Sequence, residues 1–275
     1  MFSIKNVVGT GLNSLAALAP RAAGRLSLDL FCRPISGRNF TKKELAYLNK
    51  STWEPLYFQG KKIQCYVWGE GKEKVFLAHG FNSNAARWRI LGSMLEKKGY
   101  QVIAMDVPAH GHSDWKRVNG LLYAQTFAQA MQHYQPDYVV GHSFAGIALS
   151  YYFTQMECLP VQKIIMMGVP DELRDVTNVF FKELGLKSTV QRAYDDAFKE
   201  KFGYPTEYFT LSNMVKQLSF PGLIIHDEQD DVASFEGAKR IYENWPNASF
   251  FSTDRYGHSL QGRPVYNAIV QYLEN

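Results

Sequence analysis

The sequence has little of what would mark a specialised chain. Only three cysteines occur in 275 residues, Cys32, Cys65 and Cys158. They are too few and too scattered for a disulfide framework or a cysteine-rich zinc site, and their scarcity points to a reducing, cytoplasmic setting. No uninterrupted apolar run approaches ~18 residues, so no membrane-spanning helix is expected. No metal-ligand spacing falls on a helix, so no metal is expected. Gly69-Glu70-Gly71-Lys72 lacks the spacing and the following Ser or Thr of a phosphate loop. No nucleic-acid motif, internal repeat or low-complexity segment is visible. What remains is a globular composition, 46% hydrophobic and 20% charged, with a length that allows one large α/β domain or two smaller ones.

Net charge is +4, unevenly spread. Residues 1–50 hold eight basic residues against Asp29 and Glu44, a net +6, and the other 225 residues carry 22 against 24, a net −2. The basic character therefore belongs to an N-terminal arm, assigned to residues 1–53. Within it Ile4, Val8, Leu12, Leu15, Ala19, Ala22, Leu26 and Leu30 recur at steps of three or four. That spacing predicts one apolar helix face, carried by two helices if Pro20 breaks it. Packing is the leading reading of this face, with membrane-surface or homodimer contact as the alternative. Lys5 and Ala17-Leu18-Ala19 give a weak likeness to a cleavable signal. Thr10, Asn13 and Ser14 interrupt its core, and Pro20 sits where cleavage would fall.

From residue 62 short apolar strands alternate with amphipathic helices. Strands are expected at residues 63–68, 75–78, 100–105, 138–140, 163–167, 223–225 and 248–251. Helices are expected near 85–98, 122–134, after 143, 235–245 and 265–273. This rhythm means a doubly wound, mostly parallel sheet covered on both faces. Residues 54–60, Glu-Pro-Leu-Tyr-Phe-Gln-Gly, look like the cleavage site of a tag-removing viral protease and are read as native chain. Residues 171–216 interrupt the rhythm with helical spacing and many aromatics, among them Phe180, Phe181, Tyr194, Phe198 and Phe202. They are expected to form a helical lid inserted in the domain of residues 54–275.

The strongest motif is Gly141-His142-Ser143-Phe144-Ala145-Gly146. It joins a buried strand to a helix through a turn of the small-x-Ser-x-small type. Such a turn strains the serine backbone and lifts its hydroxyl above the sheet edge, which makes Ser143 a candidate nucleophile. Ala145 stands where the second glycine is usual.

With this motif, residues 62–275 resemble the α/β-hydrolase superfamily, and specifically its serine-nucleophile esterases and lipases with a helical lid. His79-Gly80-Phe81 resembles the oxyanion loop. Asp106-Val107-Pro108-Ala109-His110-Gly111-His112-Ser113 resembles D-x-P-G-x-G-x-S, with Ala109 for a glycine. His226 to Val232 resembles H-G-x-x-D-x-V, with Asp227 for the glycine. The resemblance implies a Ser–acid–His order along the chain. Its acid falls on Asp230, with Asp231 and Asp227 in the same crowded loop and Asp171 as an outside candidate. Six of the seven histidines read as loop or surface residues. His258 remains as the base, in the loop after the last strand. The oxyanion donors implied are the backbone amides of Phe81 and Phe144.

The expected activity is cleavage of a carboxylic ester or thioester through an acyl-serine intermediate, with no cofactor. The aromatic insertion favours an apolar acyl group. Carbon–carbon bond hydrolysis, acyl transfer and perhydrolysis would use the same three residues. A ligand-binding receptor with little turnover is the reading from a different class. No nucleic-acid partner is expected.

Overall fold

The computed structural model describes residues 4–275, which fall into two compact units: residues 34–171 with 211–275, and residues 4–33 with 172–210. The strands are β1 (Thr52–Phe58), β2 (Lys61–Trp68), β3 (Lys74–Ala78), β4 (Gln101–Met105), β5 (Tyr138–His142), β6 (Lys163–Met167), β7 (Gly222–Asp227) and β8 (Ala248–Thr253). The helices are α1 (Ile4–Leu18), α2 (Pro20–Phe31), α3 (Lys42–Leu48), α4 (Arg89–Lys97), α5 (Gly120–Tyr134), α6 (Phe144–Gln155), α7 (Leu173–Leu184), α8 (Ser188–Phe202), α9 (Leu211–Met214), α10 (Phe235–Asn244) and α11 (Arg263–Glu274).

In the first unit all the strands form one sheet in the order β1-β2-β4-β3-β5-β6-β7-β8. β2 runs antiparallel to β1 and β4, and the ladders from β4 to β8 are parallel. Side chains alternate across the sheet with period two. On one face Val75, Leu77, Val102, Ala104, Val140, Ile165 and Ile225 join Leu91 and Leu95 of α4 and Ile269 and Leu273 of α11 in a single buried cluster. On the other, Phe76 meets Phe127 of α5 edge to face, with centroids 5.3 Å apart, and Phe127 meets Tyr152 of α6 at 5.1 Å. Both faces are covered, and for that reason these strands read as continuous apolar runs.

The sequence rhythm does not reveal β1. It is the sheet edge, where Pro55 costs no ladder bond on a covered side. Phe58 pairs with Lys61 across a two-residue turn, and Gln59 and Gly60 both take positive φ, 49° and 73°. That is the turn a right-twisted hairpin requires. The protease-site likeness at residues 54–60 is thus built into a hairpin.

The parallel strands place the functional loops. β3 lies between β4 and β5, so the connections leave its two sides in opposite directions. A crevice opens at the carboxyl ends of strands at such a switch point. Ala78 pairs with Gly141, so His79-Gly80-Phe81 and Ser143 emerge side by side there.

The second unit consists of α1 and α2 packed with α7 and α8. Pro20 starts α2 at its first turn, where a missing N–H leaves no bond unmade. The buried face of the arm differs from the expected stripe. Gly9, Leu12, Ala16, Ala23, Gly24, Ser27 and Leu28 are buried, whereas Ile4 is 82% and Leu26 44% exposed. Close backbone approach explains the shift. A Cβ on Gly9 would lie 1.7 Å from the Leu184 carbonyl oxygen, and one on Gly24 would lie 2.0 Å from that of Ala193. Small residues face the partner helices, and several large ones turn outward. Part of the arm's positive charge is met within the unit, by Lys5–Glu183 at 3.0 Å and Arg25–Glu200 at 2.7 Å.

The boundaries differ from the sequence reading. Residues 34–53, assigned there to the arm, belong to the sheet unit. They carry α3, started by a Thr41–Glu44 capping box, and the first residues of β1. The helical insertion spans residues 172–210 rather than 171–216. Its aromatics fill its own interior: Phe31 meets Phe180 and Tyr194 at 5.3 and 5.7 Å, and Phe181 meets Tyr194 at 5.1 Å.

Candidate active site

β5 ends at His142 and α6 begins at Phe144, so Ser143 alone makes the turn. Its backbone sits at φ 54°, ψ −122°, a conformation that costs a non-glycine residue roughly 1–3 kcal/mol. Two bonds hold it there. The Ser143 N–H donates to the Met167 carbonyl at 2.9 Å, and the Gly146 N–H donates to the Ser143 carbonyl at 2.8 Å. Sterics explain the small neighbours. A Cβ on Gly141 would meet Leu149 at 2.4 Å, and one on Gly146 would meet Val169 at 2.3 Å. Ala145 is fully buried, so its methyl fits where the usual glycine is absent.

His258 sits on the single-turn helix Gly257–Ser259 that follows β8. Its Nε2 lies 2.8 Å from Ser143 Oγ, and its Nδ1 lies 2.9 Å from Asp230 Oδ2 and 3.1 Å from Oδ1. Asp230 Oδ1 also accepts the N–H groups of Val232 and Ala233 at 2.9 and 2.8 Å. Burial pushes the Asp230 carboxyl up, but the bond and charge of His258 and the two amides outweigh it, and the group stays below the usual carboxylate range. The structure thus lines up three of the residues singled out in the sequence.

The other carboxylates lie elsewhere. Asp231 is exposed. Asp171 is buried against the Ser212 N–H at 2.8 Å and Arg240 Nε at 2.7 Å. Asp227 bonds the Gln229, Arg255 and Tyr256 N–H groups and the Thr253 hydroxyl.

The two loops expected to carry the oxyanion donors also meet. The Phe81 and Phe144 rings stand edge to face, with centroids 5.8 Å apart. A Cβ on Gly80 would lie 2.9 Å from Ser143 Cβ, so only glycine lets the loop come this close. Among the described residues no group of His, Cys, Asp or Glu is arranged to hold a metal ion.

A family model described as alpha/beta hydrolase fold matches residues 74–184, the stretch from β3 through the Ser143 turn to α7. The solved structure of the Pyrococcus furiosus esterase Pf2001 has a TM-score of 0.66 at 19% identity, over 88% of this chain and 96% of that one. This chain has the α/β-hydrolase fold. The chain is also similar to a meta-cleavage product hydrolase from Pseudomonas fluorescens, with a TM-score of 0.61 at 19% identity over 80% of this chain and 97% of that one. A curated relative, Esterase Rv0045c of Mycobacterium tuberculosis, is 30% identical over 109 residues. That match spans 38% of this chain and only 36% of the relative's length.

Besides Ala145, the chain departs from the α/β-hydrolase pattern at two more glycines, and both replacements have a local account. Ala109 keeps the left-handed backbone of a glycine, φ 71°, held by its N–H on the Asp114 carbonyl at 2.8 Å. Asp227 uses its added carboxylate to tie down the loop before His258. The loop histidines are structural acceptors and donors. His79 Nε2 accepts the Val107 N–H at 3.1 Å, and His110 Nε2 accepts the Asn82 N–H at 3.0 Å. Burial keeps both rings neutral and pushes His110 down to about 4.

Arg87 escapes the sequence reading. A lone arginine at the start of a helix carries no motif. In the structure it is bonded to His142 Nδ1 and donates through Nη2 to the Ser259 carbonyl at 3.0 Å. No helix among the described residues is long and apolar enough to cross a membrane.

Proposed function

We propose that this hydrolase cleaves a carboxylic ester or thioester through an acyl-serine intermediate. The observation that carries the reading is the unbroken line Asp230–His258–Ser143 ending on a strained serine. Ser143 Oγ attacks the acyl carbon while its proton moves to His258 Nε2. The carbonyl oxygen becomes an oxyanion facing the amides of Phe81 and Phe144. On collapse the C–O or C–S bond breaks, and the leaving group takes the proton from His258. Water then attacks the acyl-serine, gives a proton to His258, and releases the carboxylic acid as the proton returns to Ser143 Oγ. Asp230 keeps the imidazole in the tautomer with its proton on Nδ1 and stabilises the imidazolium.

The helical insertion lies between β6 and β7 in the chain, and its aromatic composition is the ground for an apolar acyl group. The partial likeness to a protein named as an esterase supports the ester class. The test is a panel of aryl esters and acyl thioesters of rising chain length, with a fluorophosphonate probe on wild type and Ser143→Ala. Probe labelling that Ser143→Ala abolishes, with turnover best on longer acyl chains, is the expected result. Labelling unchanged in that variant would sink the assignment.

A further inference from the structure

Arg87 is a half-buried cation for which no carboxylate partner is found among the described residues, an arrangement that is costly unless other acceptors compensate. Its acceptors are the Ser259 carbonyl at 3.0 Å and the Nδ1 of His142, and its guanidinium lies 4.8 Å from the Trp88 ring centroid. Its Nε–H has no hydrogen-bond partner among the described residues. His142 in turn bonds the His258 carbonyl through Nε2 at 2.8 Å.

The protons on this chain follow from the acceptors. A carbonyl oxygen can only accept, so His142 carries its proton on Nε2. Arginine can only donate, so His142 Nδ1 must be the lone pair. The ring is therefore neutral in one tautomer. Burial, and the nearby charges of Arg87 and His258, push its pKa well below the ordinary histidine range, in the same direction. Together, Arg87 and His142 hold two successive carbonyls, those of residues 258 and 259, in the short turn that presents the base.

We infer that Arg87 and His142 are positioning residues for His258: by gripping the carbonyls of His258 and Ser259 they fix the peptide units on which the imidazole pivots between Asp230 and Ser143. The inference rests on the serine-hydrolase reading. His142 also touches the other parts of the machinery. It precedes Ser143 in the chain, and a Cβ on Gly80 would lie 3.2 Å from its Nδ1. One neutral imidazole thus joins the nucleophile, the oxyanion loop and the turn of the base. A turn freed by even about 1 Å would cost on the order of a hundredfold in rate with little change in binding.

The test compares wild type with Ser143→Ala, His142→Gln, His142→Leu, Arg87→Lys and Arg87→Met. Each is assayed for the phosphonylation rate, for kcat and KM on an aryl ester, and for Tm. Glutamine offers an amide donor and an acceptor and is expected to retain activity within about threefold to fivefold. Leucine and Arg87→Met are expected to lower kcat and phosphonylation about tenfold to a hundredfold at near-constant KM. Arg87→Lys, which keeps the charge and one contact, should fall between. His142→Leu or Arg87→Met reacting at wild-type rates, in a protein that Ser143→Ala silences, would overturn the inference alone. Activity that follows Tm across all four variants, with no rescue by glutamine or lysine, would overturn it as well. A wild type that the probe does not label through Ser143 would remove the hydrolase reading, and this inference with it.

Discussion

The Oδ2 of Asp227 accepts the Tyr256 N–H at 2.8 Å, which ties the end of β7 to the loop that presents His258 two residues later. The same oxygen takes the Arg255 N–H at 2.9 Å and the Thr253 hydroxyl. Burial raises the carboxyl, but these donors and the Gln229 N–H outweigh it and hold it down at about 2. A depressed folded value adds stability above the unfolded value of about 3.9, and that share is lost as pH falls through about 2. Asp227→Asn is expected to lower stability at pH 7 by roughly 1–3 kcal/mol and to remove this acid-side loss. Urea unfolding at pH 7 and pH 3 checks both, and equal stability of variant and wild type at pH 7 would contradict it.

Neighbouring carboxylates should behave very differently. Asp230 meets His258, whereas Asp231 is exposed. Asp230→Asn is expected to lower kcat by at least about a hundredfold, since an amide would favour the wrong imidazole tautomer. Asp231→Asn should stay within about twofold. Steady-state kinetics on one aryl ester decides, and the reverse order would move the acid by one residue.

His110 predicts a loss of stability that begins well above the carboxylate range. It is fully buried, and burial lowers it to about 4. The unfolded chain binds the proton first, so stability is full above about 6.5 and declines as pH falls towards 4. That group alone accounts for a loss on the order of 3 kcal/mol. His79 and His142 are lowered in the same direction. Tm measured from pH 7.5 to 4.5 should therefore fall less steeply in His110→Gln than in wild type. An identical slope would assign the proton uptake to other groups.

Gly80→Ala should separate folding from activity. The added methyl would sit 2.9 Å from Ser143 Cβ and 3.0 Å from the His142 carbonyl oxygen. Moving the loop away displaces the Phe81 amide, and loss of one oxyanion donor costs roughly 3–4 kcal/mol in the transition state. Phosphonylation slowed about a hundredfold or more in a folded variant is expected. A rate near wild type would show that the loop can give way without penalty.

Gly24→Val tests the helical unit. A Cβ there would fall 2.0 Å from the Ala193 carbonyl oxygen, so α2 and α8 must separate. Loss of about 2 kcal/mol or more and new proteolytic cuts within residues 4–33 and 172–210 are expected. Unchanged protease resistance would mean that the helices adjust.

Much of this architecture was legible because its signals are local. Lys163–Met167 reads as a strand from five apolar-rich residues, and the Ser143 turn declares itself by small residues between a strand and a helix. Asp230 and His258 lie 28 residues apart, and only the motif order links them. β1 was hidden because an edge strand with a proline lacks the apolar run of the central strands. The arm's buried face was misread because close packing selects Gly9, Ala23 and Gly24 over larger apolar residues. Arg87 was invisible because its meaning depends on His142 and Ser259, the latter 172 residues away.

The helical unit has a consequence for how the protein is made. Asn13 donates to the Gly185 carbonyl, and Arg25 meets Glu200, across 172 and 175 residues. The arm is synthesised before its partners, which emerge about 140 residues after its last turn, roughly 7–28 s later at ordinary elongation rates. Helices of 15 and 12 residues are marginal by themselves. During translation the arm is thus an unpaired basic, apolar stretch that waits for chain from beyond β6. Its burial becomes a late checkpoint, one that registers whether the middle of the protein has arrived intact.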